Sequence, residues 1–189
     1  MAELTFAWLT PERWPDLVDL FGPNGADGGC WCMWWRQTRA ASAALGSTGN
    51  KRALKKLVDA GQPLGLLAYD GDQAVGWVSI APRTTYSSLE RSPVLRRIDD
   101  QPVWSLVCLF VRADLRSQGV ARQLVEAAVA HVAEQGGRII EAYPTVNDDE
   151  RLPAPSGFMG TPALFESVGF ERVARPSERR AIYRRVIPH

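Results

Sequence analysis

The sequence predicts a mixed α/β fold, a central sheet with helices on its faces, and three observations lead to it. Residues 103–111 are almost continuously apolar, as a strand buried on both faces requires. Residues 119–134 carry Val120, Leu124, Ala128 and Val132 at every fourth position, one apolar stripe of a helix. The strand-like runs 64–69 and 74–80 flank Asp70-Gly71-Asp72, a strong hairpin turn. With 46% hydrophobic residues spread along 189 positions, the chain reads as one compact domain, 1–189, able to bury most of its apolar surface.

Local signals place the other elements. Residues 3–9 alternate as a first strand. Thr10-Pro11-Glu12 caps a helix, with proline at its first position, and Phe21-Gly22-Pro23-Asn24-Gly25 stops it. The aromatic-rich segment 31–39 has a pattern that assigns it to neither helix nor strand. Residues 42–50 are small, polar and Gly-containing, and are expected to be mobile. Asn50 is expected to cap a helix bearing Leu54, Leu57 and Val58 and ending at Gly61. Ala81-Pro82-Arg83 closes the hairpin, and 87–98 has helical potential. The helix 119–134 ends at Gly136-Gly137 and a strand occupies 138–143. A Pro- and Gly-rich loop follows at 144–160, with the acidic run Asp148-Asp149-Glu150. A short helix at 161–168 ends at Gly169, and two strands finish the chain.

Composition narrows the function. A net charge of +1 argues against a dedicated nucleic-acid binder. No run approaches the roughly 18 apolar residues of a membrane span. The start Met1-Ala2-Glu3-Leu4 lacks a secretory pattern, so the expected compartment is the cytoplasm. Arginine carries most of the positive charge, the lysines being Lys51, Lys55 and Lys56, which points to a GC-rich bacterial source. Cys30, Cys32 and Cys108 are too few and too oddly numbered for a disulfide framework. Cys30-Trp31-Cys32 offers two thiolates where a zinc site takes about four ligands, so no metal is expected and packing among Trp31, Trp34 and Trp35 is the better reading.

The informative stretch runs from Leu109 through Arg122, a buried strand passing through a polar loop into a helix N-terminus. Such a terminus leaves N–H groups unpaired at the positive end of the helix dipole, which suits a pyrophosphate. Gly119 would let phosphates approach, Ala121 is small, and Arg116 and Arg122 could add charge-assisted hydrogen bonds. A helix merely capped by a polar turn, with glycine chosen for packing, is the competing reading of this pattern.

Arg116-x-x-Gly119-x-Ala121 after a strand resembles the (Arg/Gln)-x-x-Gly-x-(Gly/Ala) signature of the GNAT family of acyl-CoA-dependent N-acyltransferases. Phe165-Glu166-Ser167-Val168-Gly169-Phe170 resembles the short helix ending in Gly-Phe of that family, and Val75-Gly76-Trp77 its sheet entry. The resemblance covers roughly 4–187. It implies a mostly antiparallel sheet with one splayed parallel pair and flanking helices. Acetyl-CoA would lie in a cleft between strands 103–111 and 138–143. The backbone near Leu109 and Val111 would pair with pantetheine, and the amides of Ser117, Gln118, Gly119, Val120 and Ala121 would hold the pyrophosphate. An acceptor amine, small molecule or peptide, would attack the thioester directly, and a homodimer is compatible with the family.

An alkyl amine with a pKa near about 10.4 must lose a proton first, and a departing thiolate of pKa about 8.5 is helped by an acid. Three positions depart from the family pattern. Phe165 stands where many members carry a tyrosine, Phe158-Met159-Gly160 where an asparagine often precedes the helix, and Ser105 where some carry a glutamate. The candidate base and acid are therefore Glu141 and Tyr143, at the cleft end of the last parallel strand. Trp31, Trp34 and Trp35 could line an acceptor pocket or pack in the core, and the run 148–150 could attract a cationic acceptor. Two other functions stand beside N-acetyl transfer: a catalytically inert acyl-CoA-binding sensor, and a metal module on Cys30 and Cys32.

Overall fold

The computed structural model describes residues 3–146 and 158–188, whose seven strands form one sheet in the order β1-β2-β3-β4-β5-β7-β6. The strands are β1 (Thr5–Trp8), β2 (Gly65–Asp70), β3 (Gln73–Pro82), β4 (Trp104–Val111), β5 (Ile139–Ala142), β6 (Glu171–Ser177) and β7 (Arg180–Val186). Five helices flank them: α1 (Trp14–Phe21), α2 (Arg39–Asp59), α3 (Ser87–Glu90), α4 (Val120–Glu134) and α5 (Pro162–Ser167). Neighbouring strands are antiparallel except β4 and β5, the one parallel pair. No described helix is long and apolar enough to cross a membrane.

Strand alternation gives the sheet two apolar faces. Leu66, Val78 and Leu106 face the stripe of α4, with Leu124, Ala128 and Val132 fully buried against them. Leu67 and Trp77 face the other way, onto Leu17 and Phe21 of α1 and Leu54 and Val58 of α2. Gly76 sets how closely α4 approaches β3, since a Cβ there would lie 2.8 Å from Leu124 Cδ1 and 3.3 Å from Val120 Cγ1.

The structure differs from the sequence reading in three places, the first being that Thr10 makes no side-chain cap and Pro11–Arg13 form a separate tight turn before α1 begins at Trp14. Residues 42–50 are helical, because α2 starts at Arg39 with the Thr38 hydroxyl accepting from Ala41 N at 3.1 Å. The chain breaks direction at Gly46 (φ 58°, ψ −172°) and continues, so Asn50 lies inside α2 instead of capping it. Only Ser87–Glu90 of 87–98 is helical. The acidic run 148–150 lies outside the described residues.

Gly76→Val should destabilise the protein by about 1–3 kcal/mol, because the branched side chain must enter a filled interface. A lowered urea midpoint with an unchanged far-UV spectrum is the expected result.

Candidate active site

The sheet forks between β4 and β5. Only Trp104↔Ile140, Ser105↔Glu141 and Leu106↔Ala142 pair, after which β5 ends while β4 continues to Val111. Arg112 N donates to Val75 O at 3.0 Å, so alternation turns the backbone groups of Leu109 and Val111 away from β3 and into the fork. There they have no ladder partner, and Val111 O instead accepts from Arg116 Nε at 3.2 Å.

Past β4, a single helical turn at Ala113–Leu115 leads to a loop with two left-handed residues, Ser117 (φ 61°) and Gly119 (φ 84°). Gly119 meets this φ without strain, whereas Ser117 bears the cost of a Cβ in that conformation. A Cβ built on Gly119 meets nothing within 4 Å, so the glycine faces open space, not a packed neighbour. Among the described residues no backbone carbonyl accepts from the amides of 117–122. These free donors, at the N-terminus of the 15-residue α4, fit an anionic diphosphate. The two arginines of the motif are engaged elsewhere: Arg116 on Val111 O, and Arg122 on Glu126 at 3.0 Å along the exposed helix face.

A cleft of about 670 Å³ opens on the α1–α2 side of the fork. Residues 107–110 of β4 form one wall, and Asp27, Trp34, Trp35, Arg39, Phe158 and Arg180 contribute to the others. A second cleft of about 560 Å³ shares Trp34, Trp35, Arg39 and Arg180. Asn50, only 3% exposed, clasps the loop that carries the tryptophans. Its Nδ2 donates to Gly29 O at 3.1 Å and its Oδ1 accepts from Gln37 Nε2 at 2.5 Å. From the other side, Ser88 Oγ donates to Gln37 O and Ser87 Oγ to Arg36 O at 2.9 Å. The tryptophans divide accordingly: Trp31 is core, its Nε1 donating to Ser47 Oγ, while Trp34 is exposed and Trp35 half-buried on the cleft.

The cysteines are free. Cys32 Sγ lies 3.6 Å from Cys108 Sγ and accepts from Trp77 Nε1 at 3.1 Å. Burial pushes the Cys30 thiol up to about 11. Cys32 is pushed well above the ordinary thiol value by its contact with Cys108 and by burial. Both are therefore protonated at neutral pH. Among the described residues no group of three or more His, Cys, Asp or Glu side chains could hold a metal.

Glu141 and Tyr143 come together, but neither lines the cleft. Glu141 is 1% exposed and both its oxygens are occupied. Oε2 accepts from Tyr143 Oη at 2.7 Å and from Arg83 Nη1 at 3.1 Å, and Oε1 from Arg184 Nε at 2.8 Å. Arg83 extends the network to Glu90 Oε1 at 2.7 Å and Leu95 O at 2.6 Å. Arg184 extends it to both oxygens of Asp99, at 2.6 and 3.0 Å. Tyr143 Oη also shares a 2.6 Å hydrogen bond with Ser105 Oγ. Burial, and then the Glu141 charge, hold the Tyr143 phenol well above its ordinary pKa. A carboxylate clasped by two guanidiniums is an ion-pair anchor, and it has no lone pair directed at the cleft. Phe165, at the position of the family's tyrosine, is fully buried. Its ring packs against Gly160, where a Cβ would lie 2.9 Å from its Cζ.

Local pattern marks Asn50 only as a helix cap and gives no role to Arg83, Arg180 or Arg184, because each acts on residues far along the chain.

The model of the acetyltransferase (GNAT) family matches residues 30–154. No curated protein matches the chain. Among solved structures the chain is similar to PaiA N-acetyltransferase of Thermoplasma acidophilum in complex with coenzyme A, at 11% identity and TM-score 0.56 over 98% of this chain and 99% of that one. It is similar to an acetyltransferase of Thermus thermophilus, at 19% identity and TM-score 0.54 over 97% of each chain. It is also similar to a chain of the NatC complex bound to Gag peptide and CoA, at 15% identity and TM-score 0.55 over 98% and 99%. At these identities the likeness is one of fold.

Two expectations follow from the buried network. Glu141→Gln leaves two guanidiniums without their shared anion and should cost about 3–5 kcal/mol, read from the urea midpoint. An unchanged midpoint would show that the carboxylate neutralises nothing. The Arg184 guanidinium holds the Asp99 carboxyl down at about 2, below its ordinary 3.8. A depressed carboxyl stabilises the fold above its unfolded pKa and stops doing so as pH falls through its folded one. Asp99→Asn should therefore flatten the loss of stability between about pH 4 and pH 2 in an acid titration followed by circular dichroism.

Proposed function

Because the chain belongs to the acetyltransferase (GNAT) family, we propose that it transfers an acetyl group from acetyl-CoA to an amine. The observation that carries this reading is the fork: the unladdered backbone of Leu109 and Val111 runs directly into the free amides of 117–121. An extended amide-bearing arm ending in a diphosphate matches that sequence of donors and acceptors.

In this reading Ser117, Gln118, Gly119, Val120 and Ala121 hold the diphosphate through their N–H groups. Arg116 fixes the end of β4 through Val111 O, and Arg122 stays on the helix surface with Glu126. Leu109 and Val111 align the arm. Bound acetyl-CoA supplies an activated acyl thioester. The cleft beside residues 107–110 orients the acceptor, and because it is open to solvent the amine can shed its proton to water; Asp27 is the one carboxylate among the described residues that line it. Glu141 and Tyr143 hold the fork in place from the interior.

One observation favours the inert acyl-CoA-binding reading: Phe165 offers no acid, and the nearest buried acid–base pair is fully engaged. Release of free CoA in the presence of an amine panel separates the two, since binding without turnover would uphold the sensor.

Acetyl-CoA at about 100 times its Kd should stabilise the fold by roughly 2.7 kcal/mol and raise Tm accordingly. Gly119→Asp sets a negative charge beside the diphosphate and should abolish that shift. Gly119→Asn imposes the same backbone strain without charge and should retain most of it. A wild-type Tm indifferent to acetyl-CoA would overturn the reading.

A further inference from the structure

We propose that the acceptor is a zwitterion: an amine that carries a carboxylate or phosphate, held by Arg180 and Arg39 while its amino end faces β4. This inference rests on the acetyl-transfer reading and names the substrate class of the same site.

Arg180 is half-buried at the start of β7, on the wall shared by both clefts. Its acceptors are all neutral: Thr145 Oγ1 at 2.9 Å, Met159 Sδ at 3.2 Å and Tyr143 O at 3.5 Å. All three are reached through Nη1, which leaves Nη2 and Nε without an acceptor among the described residues. No described carboxylate neutralises it, in contrast to Arg83 and Arg184, whose guanidiniums pair with Glu90, Glu141 and Asp99. A partly dehydrated guanidinium with a free fork binds an oxyanion by paired, charge-assisted hydrogen bonds.

Arg39 stands on the same shared wall, its guanidinium over the Trp34 ring at 5.1 Å and likewise free of any described carboxylate. Arg91 adds a third positive charge to the second cleft, which has no Asp or Glu among its described lining residues. Asp27 lines only the first cleft. The first cleft thus carries Asp27 beside Arg39 and Arg180, whereas the described lining of the second is positive only. Trp34 and Trp35 give both clefts an apolar surface. A zwitterion can set its oxyanion on these arginines with its amine toward residues 107–110, whereas a polycationic amine is repelled by them.

The test compares two matched pairs of acceptors, L-phenylalanine with phenethylamine and phosphoethanolamine with ethanolamine, by CoA release. At least one member that bears the oxyanion should exceed the partner that lacks it in kcat/KM by about tenfold or more. The pair that shows the preference identifies carboxylate or phosphate. Arg180→Gln and Arg39→Gln should each bring that ratio toward one, and Arg180→Lys should recover part of it, which a merely structural role for Arg180 would not produce. Ratios near or below one in the wild type, or ratios that both glutamine variants leave intact, overturn the inference while acetyl transfer stands. If none of the four compounds is acetylated although acetyl-CoA binds, turnover of the wider amine panel decides the transfer reading by itself. The inference is then decided by calorimetric titration with the same compounds: tighter binding of an anionic member upholds it, and equal binding overturns it.

Discussion

The Glu141 carboxylate, clasped between Arg83 and Arg184, sets where the sheet divides. It sits opposite Ser105, in the second of the three pairs that join β4 to β5. Its partners come from the end of β3 and from β7, so one buried anion ties four segments together at the base of the fork. Taking these ions out of water costs several kcal/mol each, and close contacts return about as much, so the network specifies position more than it stabilises. A one-residue slip of β5 would set Ile140 or Ala142 between the guanidiniums and deprive both of their shared anion. Register is thereby fixed at the point where the parallel pairing stops.

With that register fixed, the remaining geometry follows. β4 runs on past β5 with one edge unladdered, and its end delivers the loop of 112–119 to the N-terminus of α4. Gly76 lets α4 sit close on β3, so its free amides stand at the mouth of the fork. On the opposite face, Asn50, Ser87 and Ser88 hold the segment that bears Trp34 and Trp35 against the cleft. The cleft is thus assembled from tertiary hydrogen bonds around segments with little secondary structure of their own.

This division decides what the sequence could reveal. The order of strands and helices, the hairpin at Gly71 and the loop at Gly119 are written in local period and turn chemistry, and all are legible. The kink that lets α2 begin at Arg39 is hidden, because Gly46 and the small residues around it read as a break in the helix. Asn50 is legible as a polar residue beside a helix, but a cap and an internal clasp carry the same local signature. Glu141 shows the ambiguity most sharply. A carboxylate in an apolar strand has the same pattern as a desolvated base or as an ion-pair anchor. The partner that distinguishes them, Arg83, lies 58 positions away.

The loss of acid and base candidates also weighs less than it first suggests. General acid–base catalysis contributes typically about 10²–10⁴-fold, whereas holding two reactants in productive geometry corresponds to effective molarities of about 10⁵–10⁸ M. A thioester is already activated, and a thiol of pKa near about 8.5 leaves close to neutral pH without much protonation. Phe165 can therefore stand where a hydroxyl would assist, provided the backbone at Leu109 and Val111 and the walls of the cleft hold the two partners. The buried ions spend their charge on that positioning. A carboxylate free to act as a base at Glu141 could not also bridge Arg83 and Arg184, and the fork would lose the anchor that joins them.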